Sequence, residues 1–470
     1  MYAASLRGSS STSEDEIELG NVKILQRGQQ ESRPNIPDRF ETLDSEFCSV
    51  GQSIEYYETL MKLPAEIRHS YLVALRDVVY NSQIEEQFRN EHGWDTSLFR
   101  FGEAVNNLKA GRKLLQGDAL DPDRMSFVFE WRKESYYSPV PFEFDDSKEL
   151  PGRCNILIGY NGVGKTTLLA DLALAASRGA KKSQGDSEIS GTDTTFGAVV
   201  AISYSAFDTF KTPESIRGSA ESNRHSTAAF GYVYCGLRRE TTGGHDTFQL
   251  KSIAEIRDEF VESLYDIGRL DTREHLISAF DALASEPSFG QAGIDLPKLG
   301  DGVSQADAIA AFEQLSTGHK IVLNIVTQLA MHLRTRSLVL IDEPETHLHP
   351  PLVAALLRAV QVLLTASSSF AVIATHSPVV VQEVPSQFVH ILERDVEGPA
   401  TLREPEIETF AENIGAITRH VFSLDSSATD YQGILRFLSK KYSVEEISDM
   451  FEDGLSVQGR ALVSNYRNLQ

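Results

Sequence analysis

An α/β fold, with a mixed sheet and flanking helices, follows from three features of this 470-residue sequence. Short apolar runs at 156–158, 198–204, 337–341 and 370–374 are too brief for helices, and each is followed by a glycine, carboxylate or polar residue, which marks buried strands. Stretches of helical period lie between them, as in Ile253, Ile256, Phe260, Leu264 and Ile267. Gly159 through Thr166 fits G-x-x-x-x-G-K-[ST], with a strand before it and Leu168, Leu169 and Leu172 opening a helical period after it.

Strand, loop and helix in that order make a phosphate-binding loop. Glycines let backbone N–H groups converge on phosphate oxygens, and the helix N-terminus adds its positive end. Gly159, Tyr160, Asn161, Gly162, Val163, Gly164, Lys165, Thr166 and Thr167 are therefore expected to hold ATP. Lys165 would reach the β- and γ-phosphates, and the Thr166 hydroxyl would ligate Mg²⁺.

Composition narrows the class. An apolar share of 41% and a charged share of 24% suit a globular chain. No run has the length of a membrane span, and the N-terminus lacks the layout of a secretion signal, so a cytoplasmic protein is expected. Cys48, Cys154 and Cys235 lie far apart, without disulfide or metal spacing. The net charge of −23 removes the simplest argument for a nucleic-acid surface, leaving nucleic acid to be reached through a complex.

Along the chain, residues 1–36 are Ser-, Glu- and Gly-rich and read as a flexible tail. Residues 37–118 read as a helical N-terminal region. One helix starts at Pro64, with Ile67, Tyr71, Leu75, Val78 and Val79 as its apolar marks, and a second carries Leu98, Val105 and Leu108. The ATPase domain is expected over 119–395, opening with alternating strands at 127–131 and 140–144. Lys181 to Thr195 reads as a loop, and a helical insertion is expected at about 251–300, with Asp271 and Glu274 as a capping box. Residues 396–470 read as a helical C-terminal region, in which Ser443 and Glu446 mark a helix start.

Further segments complete a nucleotide engine. The strand 337–341 ends in Asp342 and Glu343, the first placed to hold Mg²⁺ and the second to polarise the attacking water. The strand 370–374 ends in Thr375-His376-Ser377-Pro378, where His376 can hydrogen-bond a γ-phosphate. Leu315-Ser316-Thr317-Gly318-His319-Lys320 opens a helix and resembles the ABC signature Leu-Ser-Gly-Gly-Gln. That resemblance implies a P-loop NTPase of the ABC ATPase type. Two copies would close on ATP, with Ser316 and Gly318 facing the γ-phosphate held by the other copy. Thr317, His319 and Lys320 depart from the transporter form. His347 and His349 have a spacing open to metal, but no further ligands accompany them. Asp-Glu-Pro-Glu-x-His-Leu-His-Pro over 342–350 instead resembles the dimer-contacting loop of soluble ABC ATPases of the RecF and OLD-nuclease group. The glutamine expected after the strand 198–204 is missing, which predicts slow hydrolysis and leaves a second Mg²⁺ ligand unassigned. The interval from Lys165 to Ser316 carries no heptads, and no acidic cluster of nuclease type follows His376.

Softer strings narrow the resemblance. Ser203-Tyr204-Ser205-Ala206-Phe207-Asp208, the run Tyr232 to Arg238, the Ser-Thr-Gly-His-Lys signature and the run Glu408 to Ile414 resemble the ATPase subunit of Septu-type anti-phage systems, also found with some retrons. The resemblance implies an ATPase that forms a homodimer or higher oligomer and controls a separate nuclease of the His-Asn-His (HNH) type. Two other readings stand beside it, a stand-alone RecF-like repair ATPase and a nucleotide-gated scaffold with little turnover.

Overall fold

The structure, a computed structural model, describes the chain apart from residues 1, 8–15, 30–32, 99–101, 118–120, 134–135, 178–186, 192–195, 207, 213–230, 241–247, 268–271, 395–399, 422–429 and 469–470. Two compact units, Met1–Ala411 and Glu412–Gln470, are described separately.

The first unit opens with β1 (Tyr2–Arg7), β2 (Glu16–Gln26) and β3 (Phe47–Gly51), an antiparallel sheet in the order β1-β2-β3. This corrects the expectation of a flexible tail over 1–36. Leu19, Val22 and Leu25 of β2 are buried in a core shared with Tyr56, Tyr57 and Leu72. Alternation is lost between Leu19 and Val22, where the register slips between Ala4 and Ser5 opposite Gly20 at φ +109°, and Val22 to Leu25 is buried at every position, with Ile24 in a second cluster. A bulge of this kind shifts the phase of the alternation and hides the strand from a period-two reading. Helices α1 (Ile54–Met61), α2 (Ala65–Ala74), α3 (Ser82–Phe88) and α4 (Gly102–Leu115) follow, with a π turn at Trp94–Leu98. Pro64 does stand at the N-cap of α2, but that helix stops at Ala74, and Ile67 is exposed. Val78 and Val79 are buried beyond it. Leu98 and Leu108 join the same core, whereas the Val105 side chain lies outside the described residues.

Strands β4 (Arg124–Lys133) and β5 (Tyr136–Asp145) pair antiparallel, as the alternation predicts. Met125, Phe127, Phe129 and Trp131 point inward, and prolines 139 and 141 sit on the edge strand β5, where a missing N–H is tolerated. After β6 (Cys154–Ile158) and α5 (Lys165–Ser177) comes β7 (Glu188–Ser190), which pairs with β4. The loop expected at 181–195 therefore contains a strand; its other residues, except 187 and 191, lie outside the described ones. Next come β8 (Val199–Ser203), β9 (Tyr232–Gly236) and a hairpin of β10 (Arg238–Glu240) and β11 (Phe248–Leu250).

Among the described residues, five helices stand between this hairpin and the helix that starts at Thr317: α6 (Ile253–Ile267), α7 (Arg273–Ala284), α8 (Pro287–Gln291), α9 (Leu296–Asp301) and α10 (Gln305–Gln314). Phe260 of α6 stacks on Phe312 of α10 at 5.1 Å. The N-cap of α7 is Thr272, which makes no side-chain cap bond, and Asp271 lies outside the described residues. The chain continues through α11 (Thr317–His332), β12 (Leu338–Asp342), α12 (Pro350–Ala366), β13 (Phe370–Ala374), α13 (Pro378–Gln382), β14 (Val389–Arg394) and β15 (Ala400–Arg403).

The central sheet runs β15-β14-β6-β13-β12-β8-β9, and every pair is parallel except β14 with β15. Parallel strands covered on both faces read as continuous apolar runs, and β6, β8, β12 and β13 are buried at every position. Strand β15 corrects the expectation that 396–470 is wholly helical. One core joins Phe127, Phe129, Phe142 and Phe144 to Leu157 of β6, Leu168 and Leu172 of α5, and Leu340 and Val372 of the sheet. The phosphate loop is thus anchored at both ends.

The second unit holds α14 (Ile414–His420), α15 (Asp430–Ser439), α16 (Val444–Asp449) and α17 (Val457–Asn468). Leu435, Ile447 and Val463 form its core, and Ser443 with Glu446 makes the expected capping box.

His390 links the two sheets. Asn155 Nδ2 donates to Glu143 O at 2.7 Å, so Asn155 Oδ1 accepts from His390 Nε2, also at 2.7 Å. Burial lowers the His390 pKa from 6.5 to about 4. The unfolded chain takes up a proton before the folded one does, so this histidine supports the fold fully above about pH 6.5 and loses that support as pH falls to about 4. Thermal melts of the nucleotide-free protein should show this acid loss. In His390→Gln, whose amide also donates to Asn155, the loss should be smaller.

Candidate nucleotide-binding site

Three parallel strands bring the site together at their C-terminal ends. β6 delivers the loop 159–164, β12 delivers Asp342 and Glu343, and β13 delivers Thr375 and His376. Ligands collect outside this edge of an open α/β sheet because successive loops splay there. Gly162 and Gly164 adopt φ +82° and +109°, open to glycine at little cost, and a Cβ on Gly159 would stand 2.4 Å from Leu392 O. Lys165 opens α5, is 5% exposed, and donates to Gly159 O at 2.9 Å, folding its ammonium over the loop. Burial lowers its pKa, while the charges of Glu343, Asp342 and Glu345 act in the opposite direction.

Thr166 Oγ1 lies 3.0 and 2.9 Å from the two oxygens of Asp342 and donates its hydrogen to them. Burial pushes Asp342 up to about 7, the Thr166 bond opposes the rise, and the charges of Glu343 and Asp208 add to it. This is a buried carboxylate among like charges beside a hydroxyl, a hard-oxygen donor set that fits Mg²⁺. Thr166 and Asp342 would hold the ion, which would supply positive charge to phosphate oxygens.

Glu343 turns the chain out of β12 at φ +48°, a strained conformation for a residue with a side chain. Its N–H donates to Ala374 O at 2.8 Å, tying it to the end of β13. His376 Nδ1 lies 3.5 Å from Glu343 Oε1 and 3.3 Å from Glu345 Oε1. That Glu345 oxygen also accepts from Thr375 Oγ1 at 2.7 Å and from His376 N at 2.8 Å. Glu345 was read only as part of a string, yet it holds the loop that carries His376.

Ser316 and Gly318 are not brought to the phosphate loop. Among the described residues the Ser316 side chain bonds only to His319, accepting from its backbone N–H and lying 2.6 Å from its Nδ1, and Ser316 is exposed. A Cβ on Gly318 would stand 3.2 Å from His347 O, so the signature lies against the loop 343–349. His347 and His349 belong to no cluster of metal ligands among the described residues.

The two strings after β8 and on β9 meet in one network. Arg238 pairs with Asp208 at 2.6 Å, Tyr234 Oη donates to Asp208 at 2.7 Å, and Arg238 also donates to Phe210 O. Asp208 is held partly by burial at a raised pKa, with Tyr234 and Arg238 lowering it. Where a glutamine was sought, Tyr204 is buried and accepts from Asn324 of α11 at 2.8 Å. Phe207 lies outside the described residues.

The arrangement of loop, strand-end carboxylates, histidine and signature is that of an ABC-type ATPase domain. The family described as "AAA domain, putative AbiEii toxin, Type IV TA system" matches residues 239–382, which include the signature and the Asp342–Glu343 pair but not the phosphate loop. Among solved structures, the SMC head domain from Thermotoga maritima is 13% identical, covering 60% of this chain and 99% of that one at a TM-score of 0.27. UvrA2 from Deinococcus radiodurans is 16% identical, covering 60% and 38% at 0.29. No helix among the described residues is long and apolar enough to cross a membrane. Protein ea59 of Escherichia phage lambda is 30% identical over 96% of this chain and 89% of its own length. With that identity across nearly the whole of both chains, this chain belongs to the family of phage lambda protein ea59.

Proposed function

We propose that the chain binds and hydrolyses ATP as the regulatory subunit of an anti-phage complex, closing as a homodimer and controlling a separate nuclease of the HNH type. The observation that carries the ATPase reading is the contact of Thr166 with Asp342 beside Lys165, because it joins phosphate loop and strand-end carboxylate in one buried charge cluster. In this reading Lys165 and the loop N–H groups bind the β- and γ-phosphates. Glu343 accepts the proton of the attacking water, and His376, set by Glu345, bonds the γ-phosphate. Ser316 and Gly318 complete the site of the opposite copy.

The nuclease partner rests on the Septu resemblance. The joining of Ser203–Asp208 and Tyr232–Arg238 through the Asp208–Arg238 pair supports treating those strings as one feature. A matching family named for a toxin of a toxin–antitoxin system fits a role in conflict between phage and host.

Lys165→Ala should weaken ATP binding by about 100-fold or more, because a charge-assisted contact to phosphate is lost; equilibrium binding of a fluorescent ATP analogue checks this. Glu343→Gln should keep that affinity, slow phosphate release roughly 100-fold and accumulate ATP-bound dimers, read by a phosphate assay and light scattering. Unchanged turnover in Glu343→Gln would remove Glu343 from the role of base. Co-purification with products of neighbouring genes tests the nuclease, and a repair or scaffold role gains ground if none co-elutes.

A further inference from the structure

We propose that Ser288, on the inserted helix α8, completes through His319 a hydrogen-bond relay in which the signature Ser316 hydroxyl hydrogen can be left for the other copy's nucleotide. The inference rests on the reading of Ser316 as a γ-phosphate ligand across a dimer. His319 stands between two hydroxyls: Nδ1 is 2.6 Å from Ser316 Oγ, and Nε2 is 2.7 Å from Ser288 Oγ. The ring of Phe289 meets the imidazole edge-on, with centroids 4.5 Å apart at 76°. Burial lowers the His319 pKa, which keeps the ring neutral near pH 7.

A neutral imidazole has one N–H and one bare nitrogen, so the two serines cannot both donate to it. In one arrangement Ser316 donates to Nδ1 and Nε2–H donates to Ser288. The Ser316 hydrogen is then turned away from any incoming anion. In the other, Ser288 donates to Nε2 and Nδ1–H donates to Ser316 Oγ. The Ser316 hydrogen is then left for phosphate, which only accepts. Each partner keeps one hydrogen in both arrangements, and no charge is created. Aligned bonds of this kind strengthen one another.

Ser288 is well placed for this task. Its N–H is held by Glu286 Oε1 at 3.3 Å, Phe289 is buried beneath it, and Arg358 of α12 reaches Ser285 Oγ at 3.1 Å. Arg358 thereby ties α12, which follows β12, to the C-cap of α7, two residues before α8. Through Ser288 and Phe289, α8 would thus take part in shaping the signature.

The test compares three proteins: Glu343→Gln, and the same variant with Ser288→Ala or Ser288→Thr. ATP-dependent dimerisation is followed by light scattering across an ATP series, and binding of a fluorescent ATP analogue by the protomer is measured alongside. Ser288→Ala should require about tenfold more ATP for half-dimerisation, with protomer binding unchanged, and Ser288→Thr should restore the parent value. Dimerisation unaffected by Ser288→Ala overturns the proposal. An equal defect in Ser288→Thr also overturns it, because packing rather than the hydroxyl would be responsible. Failure of the Glu343→Gln parent to dimerise with ATP removes the underlying dimer reading, and that outcome is visible before any Ser288 variant is compared.

Discussion

The structure of the site depends on placing negative charge at the buried ends of parallel strands. Asp342 is 3% exposed and has Glu343 next to it in the chain, with Asp208 also adding to its pKa. Such a group ionises only at a cost unless positive charge or hydrogen-bond donors are near. Thr166 donates to it, and Lys165 supplies the positive charge that lowers its pKa. Lys165 in turn is desolvated, and its charge is favoured by the same carboxylates. Each group makes the burial of the other tolerable. A divalent cation at this point would supply the positive charge that the carboxylates around Lys165 lack.

Backbone geometry converts that cluster into a connected unit. Glu343 leaves β12 in a left-handed conformation and hands its N–H to Ala374, so the ends of β12 and β13 cannot separate without losing that bond. Thr375 N donates to Leu157 O at 3.0 Å, which binds β13 to the phosphate-loop strand as well. Loop, carboxylates and histidine are therefore referenced to one rigid sheet edge, and small displacements at one reach the others.

The phosphate loop, the strands and the Asp342–Glu343 pair were legible because each is encoded within a few adjacent residues. The single helix α12 between β12 and β13 was legible for the same reason, since short connections put consecutive parallel strands side by side. What escaped was set by residues far apart in the chain or by a broken period. The strand β2 loses its alternation at the bulge opposite Ala4 and Ser5, and Ser-rich neighbours concealed it further. The strands β7 and β15 are too short to show a period and exist through pairing with β4 and β14. No spacing rule connects Ser288 to His319, or Asp208 to Arg238; only the packed structure does.

Glu345 shows how the two halves of the nucleotide site are joined within one copy. On one side it fixes Thr375 and His376 through a single oxygen. On the other, the same turn continues through His347, at φ +69°, whose carbonyl lies against Gly318 at the start of the signature helix. The loop 343–349 therefore touches both the turn that carries His376 and the start of the signature helix. Glu343 N is bonded to Ala374 O of β13 and Leu348 N to Glu345 O, so backbone hydrogen bonds brace the loop at both ends. In the proposed dimer, the seven residues 343–349 would be the backbone link between the phosphate-loop side and the signature side.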